Sequence, residues 1–167
     1  MRNKLRAWLS AKMPSQAALR DHKLLKIFGQ RLLEPDYWHY NRHSSAIAIA
    51  AGLFAAWLPL PLHSFLAIGI ALALRGYLPL AMAVVWISNP LTIAPMMYGA
   101  YQLGAHLLGL PIGDFKNLLE HDFWAIAPPL LTGALTLALL SALLGWLITR
   151  IYWRCKIIRA WQTRRQR

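Results

Sequence analysis

Residues 44–74 read SSAIAIAAGLFAAWLPLPLHSFLAIGIALAL, 31 residues without a formal charge, interrupted past the middle by Pro59 and Pro61. One straight helix of that length would run about 46 Å at 1.5 Å per residue, too long for a bilayer core of about 30 Å. Proline lacks the amide N–H and clashes with the preceding turn, so Leu58-Pro59-Leu60-Pro61 cannot continue a helix. The spacing predicts two half-length helices, over 46–58 and 62–74, joined by a non-helical elbow.

The pattern recurs outward. Residues 76–113 are 38 uncharged residues interrupted by Ser88-Asn89-Pro90, and Arg75 is the one formal charge between Ser44 and Gly113. At an offset of 29, Trp57-Leu58 falls on Trp86-Ile87, Pro61-Leu62 on Pro90-Leu91 and His63 on Thr92. An internal duplication would leave that pattern, and so would chance in so biased a composition. Leu130 to Ile148 adds 19 uncharged residues, predicting a clean transmembrane helix over 124–149 with Trp124 and Trp146 as interfacial anchors. Ala134, Ala138 and Ala142 recur every four residues, a spacing that would let a second copy pack closely as a homo-oligomer.

Charge confines itself to the ends. The 167 residues carry 18 Lys+Arg against 6 Asp+Glu, a net charge of +12, yet 57% are hydrophobic, with a mean hydropathy of +0.39. Nine of the cations lie in residues 1–43 and seven follow Thr149. This excludes a disordered chain, a disulfide scaffold (Cys155 is the one cysteine) and most soluble enzyme folds. The expected class is an all-α integral membrane protein with proline-broken helices. Its segments are a basic amphipathic region (1–43), a membrane core with two breaks (44–109), a periplasmic loop (110–123), the transmembrane helix (124–149) and a basic tail (150–167). In the first segment, Ser15 is a plausible N-cap, and Leu24, Leu25, Phe28 and Leu32 share one helical face opposite Arg20, Lys23, Lys26 and Arg31. No apolar signal-peptide stretch follows the early cations.

The basic ends predict both termini in the cytoplasm and the acidic 110–123 loop outside, on the bacterial inner membrane. The chain then crosses an odd number of times between residues 44 and 109. Either 46–74 is a re-entrant hairpin and 77–109 crosses once, or three tilted spans fill the stretch. Arg75 favours the first, because a guanidinium at mid-membrane costs about 2.5–3.5 kcal/mol on insertion scales.

Broken helices free backbone groups that lipid cannot satisfy, so such breaks line a cavity or satisfy each other in a packed core. A ligand site there would draw on Arg42, His63, Ser64, Arg75, Ser88, Asn89 and Thr92. The apolar stretch holds no carboxylate, which suits an anionic, phosphate-bearing ligand and leaves no general base for an enzyme. No metal, cofactor or nucleic-acid role is expected. His63 reads as a packing residue, Glu120-His121-Asp122 as a solvated loop and Cys155 as a reduced thiol. His39 and His43 read as headgroup neighbours. Tyr152, Trp153 and Trp161 among the tail arginines read as an interfacial anchor for anionic lipid. Two functions compete: a transporter or lipid-handling protein, and a non-catalytic organiser whose basic ends recruit a partner.

Several strings carry a family resemblance: Trp38-His39-Tyr40-Asn41-Arg42, Gly52-Leu53-Phe54, Pro59-Leu60-Pro61, Leu78-Pro79, Trp86-Ile87-Ser88-Asn89-Pro90-Leu91-Thr92, Pro95 and Tyr101-Gln102-Leu103-Gly104 with Leu107-Leu108-Gly109. From Pro35 to Leu110 the chain resembles the bacterial membrane domain of unknown function 2062. The resemblance implies a Gram-negative inner-membrane protein and supplies no established activity. Its members also resemble modules joined to glycosyltransferase-like domains, which would suit envelope lipid metabolism. Two departures stand out: Leu62-His63 where a small residue and a glutamine are expected, and Tyr77 where an asparagine is expected.

Overall fold

The computed structural model of the chain describes residues 35–59, 63–111 and 123–165, and every regular element among them is helical. A 3-10 turn, Pro35–Trp38, precedes α1 (Arg42–Ala56), α2 (His63–Ala73), α3 (Leu78–Val85), α4 (Ile93–Leu107) and α5 (Phe123–Arg165). The expected amphipathic helix of residues 15–32, most of the acidic loop with Glu120-His121-Asp122, and Leu60-Pro61-Leu62 of the first elbow lie outside the described residues.

Both interruptions fall at the prolines, and the helices before them end alike. Trp57 and Trp86 are right-handed C-caps whose N–H groups turn back onto the carbonyls of Ala55 and Val84. α2 ends in a Schellman turn: Gly76 N–H donates to Ala71 O at 2.6 Å and Arg75 N–H to Leu72 O at 3.4 Å. α4 ends the same way, with Leu110 N–H on Ala105 O at 2.9 Å and Gly109 N–H on His106 O at 3.2 Å. The left-handed position is Gly109 (φ 66°) in α4 but Arg75 (φ 56°) in α2. Glycine sits one residue later in α2, because a Cβ on Gly76 would meet Ile47 Cγ2 at 2.8 Å.

α1 and α2 form an antiparallel hairpin. Ala48 and Ala51 share a buried cluster with Ile68 and Ala71, and Ala55 and Ala56 share one with Ala67. α3 then runs parallel to α1: Tyr77 N–H donates to Ser44 O at 3.0 Å, and Val85 reaches the cluster of Ala55 and Ala56. Arg75 therefore returns to the end where α1 begins, while both breaks lie at the other end.

α5 is the spine. Its 43 residues extend about 64 Å, well past the 149 boundary expected from the charge pattern. It crosses α4 backbone to backbone: a Cβ on Gly104 would fall on the Pro129 carbonyl, and one on Gly133 on the Ala100 carbonyl. Further along it runs antiparallel to α1, where Gly145 meets Ile49 and Leu53 and Trp153 meets Ser45. α4 starts seven residues before Ala100, about 10 Å further along α5 from Gly133, so the second break sits beside α5 between Gly133 and Gly145.

The core is built from small residues. Ala46, Ala48, Ala55, Ala67, Ala71, Ala81, Ala100 and Ala105 are fully buried, so the helices approach closely and gain dispersion contacts. Ala134 and Ala138 are also fully buried within the single chain. Both are thus used up by intramolecular packing, and of the face expected to pair two copies Ala142 alone keeps partial exposure.

α5 is also the one helix, among the described residues, long and apolar enough for a membrane span. Its hydroxyls bond back along the helix: Thr132 to Pro128 O (2.8 Å), Thr136 to Thr132 O (2.7 Å) and Thr149 to Gly145 O (2.6 Å). No buried side-chain polar atom among the described residues lacks a partner, as an apolar surround requires.

Candidate functional site

The residues expected to share one site divide between the two ends of α1. Arg42 and Arg75 are exposed at its start, whereas His63, Ser64, Ser88, Asn89 and Thr92 are half-buried near its far end. The 15 residues of α1 put about 20 Å between the two groups. No guanidinium of Arg42 or Arg75 can reach the breaks.

Asn89 and Thr92 have a local role. Asn89 Oδ1 accepts from Leu91 N (2.9 Å) and Thr92 N (3.1 Å), while Thr92 Oγ1 accepts from Asn89 N (3.0 Å) and donates to Ile87 O. The same figure recurs at Asn41: its Oδ1 accepts from His43 N and Ser44 N, both at 2.8 Å, and Ser44 Oγ accepts from Asn41 N (3.1 Å) and donates to His39 O (2.9 Å). The Asn41 figure is the capping box of α1, and the Asn89 figure closes the same way over the turn that leads into α4, whose own N-cap, Thr92, makes no side-chain cap bond. The Leu91 and Thr92 amides that an anion at the second break would need are already bonded to Asn89. The signal was legible, since Asn41-Arg42-His43-Ser44 and Asn89-Pro90-Leu91-Thr92 share the pattern Asn-x-x-Ser/Thr.

Arg42 belongs instead to a basic groove of about 820 Å³ between the start of α1 and the last third of α5. Arg42 and His43 form one wall, and Arg150, Trp153, Arg154 and Ile157 the other. Arg150, Arg154 and Ile157 follow at i, i+4 and i+7, one helical face. Trp153 fixes the two walls: its Nε1–H donates to Ser45 Oγ at 2.9 Å, and Ser45 Oγ donates to Asn41 O at 2.7 Å. Tyr40 packs against both Trp153 and Tyr77, each ring centroid 5.4 Å away. Tyr77, one of the departures from the family pattern, thereby joins an aromatic cluster. Lys156 Nζ lies 4.7 Å from the Trp153 ring centroid, and the Arg150 guanidinium 4.9 Å from that of Trp146.

Asp36 is the one acidic side chain among the described residues, so within that set the groove's cations meet almost no counter-charge. Burial first, and then Tyr152, hold the Tyr40 phenol above its ordinary value of about 10; burial and Tyr40 do the same to Tyr77. Both phenols keep their protons at neutral pH and can donate hydrogen bonds. The groove itself, open and cationic, with guanidinium donors from Arg42, Arg150 and Arg154 beside Trp153, is chemically suited to a phosphate or sulfate ester. No three His, Cys, Asp or Glu side chains gather as a metal set among the described residues.

Arg150, Trp153 and Arg154 were read from sequence as an anchor. Their pairing with Arg42 and Ser45, more than 100 residues away, had no signal beyond shared charge.

No curated protein and no solved structure matches the chain. Residues 25–162 match DUF2062, described as an uncharacterized protein conserved in bacteria. The match runs beyond the resembling stretch to include α5, so both walls of the groove fall within it. The chain belongs to the bacterial DUF2062 family.

Proposed function

We propose that this protein is a multi-pass bacterial inner-membrane protein that handles phosphate-bearing lipid without catalysing a reaction. The observation that carries the reading is the outer face of α5. Leu135, Leu139, Leu140, Leu143, Leu144, Ile148 and Ile151 are each 45–64% exposed, a continuous apolar surface that water would not tolerate and lipid would. It gives way to Arg150, Arg154, Lys156 and Arg159, flanked by Tyr152 and Trp153, as at a headgroup layer.

The hairpin geometry supports the re-entrant arrangement. α1, α2, α3 and α4 are about 22, 16, 12 and 22 Å long by residue count, and none alone spans about 30 Å. In this reading α1 and α2 enter and leave one leaflet, with Arg75 back at its surface. α3 and α4 together cross once, and α5 returns. Both breaks then sit near mid-membrane, and the basic groove lies at the cytoplasmic headgroups.

Alkaline carbonate washing of membranes tests the placement, with a periplasmic phosphatase fused at residue 167 and lipid analysis of the purified protein. Retention in the pellet, an inactive fusion and co-purifying anionic phospholipid are expected. A chain released by carbonate, or an active fusion, refutes the topology, and purification free of lipid refutes the lipid role.

One observation favours the organiser reading. α5 continues past the span with Ile157, Ile158 and Trp161 exposed, a surface suited to a partner helix. Deleting residues 161–167, which lie beyond the groove lining, should abolish function under that reading and leave lipid binding intact under the first.

A further inference from the structure

We propose that the seam between α1 and α5 forms a bipartite site for a single anionic phospholipid, with its phosphate in the basic groove and an acyl chain in the apolar crevice beside it. This rests on the membrane placement above and names the ligand and its seat. The crevice, about 360 Å³, lies between α1, α2 and α5 and is lined almost wholly by apolar groups, among them Ile47, Phe54, Leu74, Ala142 and Trp146.

The two spaces lie along one side of the same seam. On α1, His43, Ile47, Ala50 and Phe54 follow at steps of four, three and four, and on α5, Ala142, Trp146, Arg150 and Arg154 follow at steps of four. Each set holds one helical face. The first member of the α1 set and the last two of the α5 set line the groove; the rest line the crevice. The Arg150 guanidinium, 4.9 Å from the Trp146 ring centroid, is the junction. A guanidinium carries five N–H donors, and a cation–π contact with the ring leaves donors for a phosphate.

Polarity follows the expected depth. Ala142 and Trp146 belong to the uncharged run that ends at Ile148, and Arg150 and Arg154 follow it. From His43 to Phe54 the seam extends about 16 Å, close to the half-thickness of a bilayer core of about 30 Å. A free phosphate would use only the groove and an uncharged lipid only the crevice. A phospholipid with net negative charge fits both.

Native mass spectrometry of the full-length chain in neutral detergent tests this, with phosphatidylglycerol, phosphatidylcholine and glycerol 3-phosphate as probes. One phosphatidylglycerol per chain is expected, held at least tenfold more tightly than phosphatidylcholine. Arg150→Ala and Arg154→Ala, both at exposed positions, should each weaken phosphatidylglycerol about tenfold, and Arg150→Lys less. Leu74→Trp, at the exposed rim of the crevice, should weaken phosphatidylglycerol and leave glycerol 3-phosphate unchanged. Equal binding of the two lipids, non-saturating binding, or an Arg150→Ala/Arg154→Ala double variant that binds as the parent does would overturn the site. Leu74→Trp without effect would overturn its acyl half. Failure of the carbonate test would instead remove the membrane placement, so the two failures are separable.

Discussion

Two glycines five residues apart on α4 make opposite predictions for the same substitution. A Cβ on Gly99 would meet nothing within 4 Å, whereas a Cβ on Gly104 would sit on the Pro129 carbonyl, 2.6 Å from its carbon and 2.8 Å from Gly133 N. Carbon atoms pack at about 3.5–4.0 Å and the Pro129 oxygen lies closer still, so Gly104→Ala requires α4 and α5 to separate by more than about 1 Å. The obstacle is backbone, and no rotamer change relieves it. A gap of 0.5–1 Å forfeits a quarter to a half of each dispersion contact, and Ala100, Ala105, Ala134 and Ala138 all depend on that approach. The expected cost is about 2–3 kcal/mol, the upper part of the usual range for overpacking. Gly99→Ala should instead stabilise by up to about 1 kcal/mol, the helix propensity difference. Thermal unfolding in detergent, followed by helical circular dichroism, compares the two. If Gly104→Ala melts with Gly99→Ala, the close crossing of α4 and α5 is wrong.

Further substitutions probe the caps and the aromatic cluster. Arg75→Gly should stabilise the fold by about 0.5–1 kcal/mol, because glycine carries no left-handed penalty at φ 56°; a loss in the same melting assay would mean that the Arg75 side chain contributes contacts. Asn41→Ala and Asn89→Ala should each cost about 1 kcal/mol through loss of a cap, and equal effects are expected because the two hydrogen-bond figures match. Trp153→Phe keeps the ring but removes the donor to Ser45, for a loss of about 1 kcal/mol. Tyr40 and Tyr77 bind their protons more tightly when folded than when unfolded, so stability should fall as pH rises above about 10, where the unfolded chain deprotonates first. Tyr40→Phe with Tyr77→Phe should flatten that alkaline decline, and an unchanged profile would count against these two phenols as its source.

The elements were legible because their causes are local. Proline removes a donor wherever it stands, so the stops at Pro59 and Pro90 could be placed to within a few residues, and the absence of charge around them set the length of each piece. The continuation of α5 was not legible. Arg150 and Lys156 marked a chemical boundary, and a change of solvent does not end a helix when nothing breaks the backbone. The division of the site had a similar origin. Asn89 and Thr92 looked like ligand groups because they were polar residues in an apolar run, but a polar side chain beside a helix start has first call on the unpaired amides there.

Arg42 and Arg75 both lie at helix boundaries, and their distance from the breaks follows from the direction of the hairpin. A chain that turns at Pro59 returns to its starting level before the next charged residue, which carries Arg75 away from His63 by the length of α2. Two of the strings that carry the family resemblance, around Asn41 and Asn89, each close the same hydrogen-bond figure where the chain re-enters a helix. Arginines that meet only through the long α1–α5 seam carry the charge, and the Asn41 capping box holds the first of them, Arg42, at the mouth of that seam. A ligand acting at this protein should therefore respond to changes at Arg150 and Arg154 far more than to changes at Asn89, whose loss should register in stability first.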